Sequence, residues 1–135
     1  MKKRGISHLI LLIPVVLAFT AARVQAAPLG ETDKQFLAAY EKIHTALAAD
    51  DLSNAVSAAK ELGDGGGDIV KAKSLTEART SFEKLSAKAK GLVAGQSGYY
   101  LVHCPMLKKD WVQTSTTVTN PYAGKAMASC GEIQK

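Results

Sequence analysis

The sequence is poor in the residues that build large cores and reactive sites. It holds two cysteines, one tryptophan and three methionines, and aromatic side chains make up 6% of the chain. The apolar residues are mostly alanine and leucine, which predicts helices packed closely around a thin core. Gly-x-Ser-x-Gly and Cys-x-x-Cys elements are absent, and the glycine run at 63–67 lacks the Gly-Lys-Ser/Thr ending of a phosphate-binding loop. We therefore predict that the protein is not an enzyme, and that the glycine run is a flexible connection.

Long apolar runs are confined to the N-terminus. Basic residues at 2–4 precede an apolar stretch at 9–19, and small residues follow at 24–26, which is the layout of a secretory signal peptide. The apolar stretch is too short for a comfortable membrane span, which needs roughly 20 residues. We predict a signal peptide at 1–26, with cleavage after Ala26 or Ala27; an uncleaved anchor is the alternative. The mature protein is then periplasmic or secreted, and has no membrane segment.

An excess of charge of one sign is also missing from the mature chain. Four of the 17 Lys and Arg residues lie in the predicted signal peptide, which leaves 13 against 12 Asp and Glu. Such a balance is not the clustered basic patch of a nucleic-acid-binding protein, so nucleic acid is excluded as a partner. Residues 27–135 fit one domain. The sequence leaves the oligomeric state open.

Helical periodicity covers most of residues 32–93. Thr32 and Gln35 form a capping box before a helix at 33–49, whose apolar residues recur at spacings of three and four. Asp50 or Asp51 can cap a second helix that reaches Leu62. A short helix at 68–73 and a long one from Ser74 or Thr76 to Val93 follow. Because the connections are brief, we predict a mainly α fold, a small antiparallel bundle of three long helices plus a short one.

The pattern changes after residue 97. Segments 99–102 and 112–119 are rich in aromatic residues, valine and threonine, which favour extended structure. Turns are predicted at Pro105 and at Asn120-Pro121. Residues 98–135 are therefore expected to form an irregular or β-rich cap on the bundle.

Both cysteines lie in this cap, and each has a methionine nearby. If residues 99–106 are extended, Cys104 and Met106 point the same way, and His103 points the other way. If residues 125–130 form a helical turn, Met127 and Cys130 share a face. Two thiolates and two thioethers are a donor set suited to Cu(I). The candidate metal ligands are therefore Cys104, Met106, Met127 and Cys130, with His103 as a less favourable fifth.

Two cysteines in an exported protein have a simpler use. A Cys104–Cys130 disulfide would close a loop of about 26 residues and contribute roughly 3 kcal/mol by the loop-entropy model. Free buried thiols are the third alternative, and the residues alone leave all three open. Zinc is less favoured, since the mature chain offers only two histidines, and His44 reads as a boundary residue on the first helix.

A specific set of residues runs through the chain. In the C-terminal third it comprises 100–106 (Tyr-Leu-Val-His-Cys-Pro-Met), Trp111, 120–122 (Asn-Pro-Tyr), Gly124, Met127 and 130–132 (Cys-Gly-Glu). In the N-terminal half it comprises Tyr40, Ile43, 46–47, 50–52, Ala55, Arg79, Phe82, Leu85 and Ser86. This set resembles an uncharacterised family of exported bacterial domains that also occur fused to periplasmic adaptor subunits of copper and heavy-metal efflux pumps. The glycine run at 63–67 and Ala123 depart from the family pattern.

The resemblance implies a helical-bundle domain associated with copper or heavy-metal handling, with the four sulfur residues as the matching positions. Our first hypothesis is a periplasmic Cu(I)-binding protein that sequesters the ion or passes it to an efflux adaptor or metallochaperone. The alternative is a non-catalytic interaction module without metal, in which the disulfide pins the cap to the bundle.

Overall fold

A computed structural model describes residues 26–135, so the predicted signal peptide lies outside the described residues apart from Ala26. Four α-helices come first along the chain: α1 (Glu31–Ala48), α2 (Leu52–Ala59), α3 (Gly67–Val70) and α4 (Leu75–Val93). Three strands follow: β1 (Tyr100–Cys104), β2 (Lys109–Gln113) and β3 (Glu132–Ile133). Two 3₁₀ segments complete the set, Lys60–Gly66 and Gly124–Met127. None of the helices in the described part of the chain has the length and apolar character needed to cross a membrane.

The mainly α prediction is confirmed, but a bundle of three long helices is not. Helices α1 and α4 have 18 and 19 residues, whereas α2 has only eight. The chain after α2 tightens into a 3₁₀ segment, and Gly63 leaves helical geometry with φ of 57° and ψ of −130°. Gly66 lies so close to the backbone of Ala59 that no side chain fits there. The glycine run connects α2 to α3 as predicted, and it does so as a compact turn in contact with α2.

A side chain caps the start of the helix at two of the three predicted places. The Asp51 carboxylate accepts the backbone N–H of Asn54 at 2.9 Å and starts α2, as predicted. The Ser74 hydroxyl accepts the backbone N–H of Glu77 at 3.2 Å and starts α4. The capping box predicted at Thr32 is wrong, because α1 begins two residues earlier than predicted, with Gly30 at its N-cap and no side-chain cap.

The predicted apolar face of α1 forms the main core. Phe36, Tyr40, Ile43 and Leu47 are all buried, as their spacing predicted. They meet Phe82 of α4, whose ring centroid lies 4.8 Å from that of Tyr40 in a stacked arrangement. Small residues of α2 and α4 fill the space between the larger side chains: Ala55, Ala59, Ala78 and Ala89. The alanine-rich composition therefore yields a thin, closely packed core.

The C-terminal cap contains an antiparallel sheet of order β2-β1-β3. Val102 of β1 pairs with Trp111 of β2 on one side and with Ile133 of β3 on the other. Of residues 112–119, which were predicted to favour extended structure, only Val112 and Gln113 belong to a strand, since β2 spans Lys109–Gln113 and a loop follows it. The loop is organised by the buried Gln113 side chain, whose Nε2 donates to the carbonyls of Ser115 and Thr117 at 2.6 and 2.9 Å.

The sheet lies between two apolar regions. Val112 belongs to the main core together with residues of α1, α2 and α4. Val102, Cys104 and Trp111 form a second, smaller core with side chains of the C-terminal loops, including Val118 and Cys130. Since side chains alternate along a strand, neighbouring residues of β2 serve different cores.

A cluster of three hydroxyl groups joins the helices to the sheet. Ser86 Oγ of α4 lies 2.9 Å from Tyr40 Oη and 2.9 Å from Tyr122 Oη, and we call these residues the tyrosine–serine cluster. Tyr40 Oη accepts the backbone N–H of Val112 at 3.1 Å, and Tyr122 Oη donates to the Asp110 carbonyl at 3.2 Å. Burial raises the pKa of both tyrosines well above the ordinary value, so both stay neutral hydroxyls at physiological pH.

Gly131 packs in the second core, where a larger residue does not fit. A Cβ at this position would lie 2.7 Å from Trp111 and 2.7 Å from Val102. We predict that Gly131→Ala lowers the free energy of unfolding by about 1–3 kcal/mol, because the sheet and the loop must separate to admit the methyl group. Urea denaturation followed by tryptophan fluorescence measures this.

Gly91→Ala is the matched control for that substitution. Gly91 lies inside α4 with no atom within 4 Å of an added Cβ. This variant should raise the free energy of unfolding by about 0.5–1 kcal/mol, because alanine loses less backbone entropy in a helix. Equal effects of the two substitutions would contradict the packing described for Gly131.

Candidate functional site

The two cysteines meet and form a disulfide. Cys104 is the last residue of β1 and is fully buried, whereas Cys130 follows the second 3₁₀ segment and is half-buried. Their Cα atoms lie 5.6 Å apart, within the range that a disulfide requires. The sequence alone left open whether the two cysteines lie this close together. Of the three alternatives for these residues, the structure contains the disulfide.

Asn120 holds the segment that carries Cys130. Its Nδ2 donates to the Cys130 carbonyl at 2.9 Å, and its backbone N–H donates to the Ala128 carbonyl at 2.9 Å. Its Oδ1 accepts the backbone N–H groups of Tyr122 and Ala123 at 2.9 and 3.1 Å. We call this set of contacts the Asn120 clamp. Because Asn120 is fully buried, it matters that both its Oδ1 and its Nδ2 have partners in the clamp, which fixes the loop on both sides of the turn.

The two methionines differ in their surroundings. Met106 lies in the turn between β1 and β2, and its side chain is 75% exposed. The strand ends at Cys104, so the alternation that was predicted to continue to Met106 stops two residues before it. Met127 ends the second 3₁₀ segment and is half-buried. The helical turn considered for residues 125–130 is only partly present, because the segment is 3₁₀, spans Gly124–Met127 and ends three residues short of Cys130.

His103 lies on the face of the sheet opposite Cys104, as the alternation predicted. Its Nδ1–H donates to the Asp110 carboxylate at 2.6 Å, and Lys90 of α4 donates to the same carboxylate at 2.5 Å. Lys90 and His103 hold the pKa of Asp110 below its ordinary value, with the Lys90 hydrogen bond as the largest cause. These three residues connect the sheet to α4. His103 therefore has a structural partner of its own, away from the cysteines.

His44 is a core residue, so its assignment as a boundary residue is wrong. Its side chain is 2% exposed, and Nε2–H donates to the Thr119 carbonyl of the cap at 2.8 Å. Nδ1 has no hydrogen-bond partner among the described residues, and lies 3.6 Å from the Glu41 carboxylate. The histidine thus joins α1 to the loop that precedes the Asn120 clamp. Its periodic position beside the apolar face of α1 was the available signal for burial.

Arg79 joins α1, α4 and the C-terminal loop. Its guanidinium donates to the carbonyls of Leu47 and Pro121 at 2.9 and 2.8 Å, and to the Asp50 carboxylate at 2.6 Å. The Arg79 hydrogen bond is the largest cause that lowers the pKa of Asp50. Gly124 passes so close to Asp50 and Arg79 that an added Cβ would clash with both. A positive φ of 57° also favours glycine there.

Several residues that hold this region together were not predicted from the sequence to do so. Asp110, Lys90 and Gln113 were not singled out, because each looks like an ordinary polar residue at its position. Asn120 was predicted as a turn residue and also belongs to the family resemblance, whereas Arg79 and Ser86 entered only through that resemblance. Their partners are distant in sequence, and only the assembled fold shows them.

Within residues 26–135, no three side chains of His, Cys, Asp or Glu are grouped so that they could hold a metal ion. The chain matches no protein-family model, no curated protein and no solved structure. The family resemblance and the Cys2Met2 site with its doubtful fifth ligand, His103, therefore stay predictions.

The ion pairs of Asp110 predict how the free energy of unfolding depends on pH. A pKa lowered in the folded state means that this carboxylate stabilises the protein above its unfolded pKa of about 3.9, and that the stabilisation is lost as the pH falls through the lower folded value. We predict that Asp110→Asn lowers the free energy of unfolding at neutral pH by less than about 1 kcal/mol, because the side chain is 35% exposed. The difference from wild type should shrink below about pH 4.

Chemical denaturation at a series of pH values measures this difference. Glu132→Gln is the control, since Glu132 pairs with His103 across the sheet but is itself exposed. A difference for Asp110→Asn that stays constant from neutral to acid pH would show that its charge is not what stabilises the fold.

Proposed function

We propose that the protein is an exported, non-catalytic interaction module whose C-terminal cap is held by the Cys104–Cys130 disulfide. The observation that carries the proposal is the bridge itself, which joins the end of β1 to the loop before β3. Disulfides persist in oxidising compartments, which agrees with the predicted signal peptide and with a periplasmic or secreted location. The bridge compensates for a thin, alanine-rich core.

The tip of the β1–β2 hairpin is the surface that we assign to partner contact. Met106 is exposed there to a degree unusual for a large apolar side chain, and Lys108 beside it is also exposed. Methionine adapts its shape to different partners and is over-used at such surfaces. The family resemblance suggests a periplasmic efflux adaptor as the partner.

The disulfide is tested first by mass and by stability. Protein purified from the periplasm should have an intact mass two hydrogens below the reduced value, and no reactive thiol. The Cys104→Ala, Cys130→Ala double variant should have a free energy of unfolding lower by about 3 kcal/mol, because the unfolded chain is no longer cross-linked. Denaturation with and without a thiol reductant is the control, since the reductant should destabilise only the wild type. An unchanged stability would refute a structural bridge.

A Cu(I)-binding protein is the second candidate, and the sulfur geometry favours it. The 5.6 Å Cα separation of Cys104 and Cys130 also suits two thiolates on one ion once the bridge is reduced. Met106 offers an exposed thioether two residues from Cys104, and Met127 precedes Cys130 by three. In this function the protein would sequester Cu(I) or transfer it to an efflux adaptor or a metallochaperone. Soft sulfur donors bind Cu(I) in preference to harder ions.

Metal binding is tested by anaerobic titration of the reduced protein with Cu(I) supplied by a chromogenic chelator. We expect one Cu(I) per chain, no binding in Cys104→Ser, and weaker binding in Met106→Leu because one thioether donor is lost. Ile133→Leu is the matched control, since Ile133 is also a large apolar side chain that is exposed but carries no sulfur. Absence of Cu(I) uptake by the reduced wild type would remove this candidate and leave the interaction module.

A further inference from the structure

The backbone around Cys130 is fixed by contacts that do not involve its sulfur. On the N-terminal side, the Asn120 clamp binds the carbonyls of Ala128 and Cys130. On the C-terminal side, Gly131 packs against Trp111 and Val102 without room for a Cβ. The position of the Cys130 backbone thus has support on both sides that remains when the S–S bond is broken.

The strand that follows extends this support. Ile133 pairs with Val102 and Glu132 pairs with His103, so β3 is bound to β1 directly. The backbone N–H of Gln134 donates to the Leu101 carbonyl at 2.8 Å and lengthens the contact. Because β1 also carries Cys104, the two cysteines belong to segments that are hydrogen-bonded to each other.

Cys104 is also held in place by contacts that do not involve the S–S bond. It is the last residue of β1, and it pairs with Lys109 where the hairpin closes. Its side chain is fully buried in the second core, beside Val102 and Trp111. Cys130 is half-buried, so it is the more exposed residue of the pair.

From these contacts we infer that the reduced protein keeps its fold and keeps both thiols facing each other, as a preformed two-thiolate site for a soft monovalent cation. The disulfide closes this site to metal, so loading depends on redox state. The inference rests on the Cu(I)-binding candidate above, and it adds the regulation of that site. It also assigns the primary ligands to the two cysteines, with the methionine thioethers as additional donors.

The disulfide is first reduced, and Cu(I) then binds to the two thiols. An external dithiol gives two electrons and two protons, its own sulfurs join in a disulfide, the Cys104–Cys130 bond breaks and two S–H groups form. Attack occurs at the sulfur of Cys130, the more exposed residue, through a mixed disulfide. One Cu(I) then displaces the two thiol protons and forms two Cu–S bonds. The apolar wall of the second core keeps water from the Cys104 side.

The experiment compares wild type, Asn120→Ala and the matched control Asn54→Ala, each in oxidised and reduced form without oxygen. Asn54 makes its side-chain hydrogen bond in α2, far along the chain from the cap. Near-ultraviolet circular dichroism reports the packing of Trp111, the one tryptophan in the sequence. Titration with chelator-held Cu(I) reports affinity.

We expect reduced wild type and reduced Asn54→Ala to keep the Trp111 signal and to bind one Cu(I) with equal affinity. Reduced Asn120→Ala should bind Cu(I) at least about tenfold more weakly, because groups that orient metal ligands typically contribute that much. The oxidised forms of all three should take up no Cu(I), because the sulfurs are joined.

Three results would overturn the inference, and they are distinguishable. Loss of the Trp111 signal in reduced wild type would show that the bridge alone holds the segment. Equal Cu(I) affinity of the two Asn variants would show that the clamp does not organise the site; both results leave Cu(I) binding itself standing. A folded, reduced wild type without Cu(I) uptake would refute the metal function together with the inference.

If Asn120→Ala does not fold even when oxidised, amide exchange of the wild type replaces it. The inference is supported if reduction lowers the protection of the amides of residues 130–134 no more than that of the amides in α1 and α4, because loss of the cross-link lowers global stability everywhere. Protection that is lost at residues 130–134 while the helices keep theirs overturns it.

Discussion

The tyrosine–serine cluster is the contact on which the rest of the structure depends. One serine hydroxyl of α4 meets the hydroxyls of Tyr40 and Tyr122, and these reach the backbone of β2. Helices and cap are thereby connected by directional bonds inside an apolar core. Such bonds are strong because water does not compete for them, and their loss would leave buried polar groups unpaired. His44 and Arg79 add further links from α1 and α4 to the same cap.

The helical part of the fold could be predicted because its signals are local. The spacing of Phe36, Tyr40 and Ile43 identifies the buried face of α1, and Asp51 and Ser74 mark the starts of α2 and α4. The sheet was harder to predict from the sequence. β2 begins with Lys109-Asp110, a polar pair that resembles a loop, and becomes a strand through its pairing with β1. β3 has two residues, too few to leave a pattern.

The candidate site, too, could be predicted from the sequence only in part. The opposite orientation of His103 followed from strand alternation. The approach of Cys104 and Cys130 did not follow from any local rule, and the disulfide was one of three alternatives that the sequence left open. An Asn-Pro pair indicates a turn, which agrees with the local bonds from Asn120 to Tyr122 and Ala123. The rest of the Asn120 clamp could not be predicted, because nothing local indicates the two hydrogen bonds to Ala128 and Cys130. Met106 was placed wrongly because the strand ends before it.

The two tyrosine hydroxyls that bind the backbone of Val112 and Asp110 also decide how this sheet meets other molecules. Both backbone groups point away from β1, so they belong to the outer border of the sheet. A free border of this kind is a template for strand addition and for aggregation between chains. Here phenol groups occupy the hydrogen-bonding positions that an incoming strand would need. Growth of the sheet on that side is closed, and the short β3 is the only border of the described sheet that remains open to a neighbour.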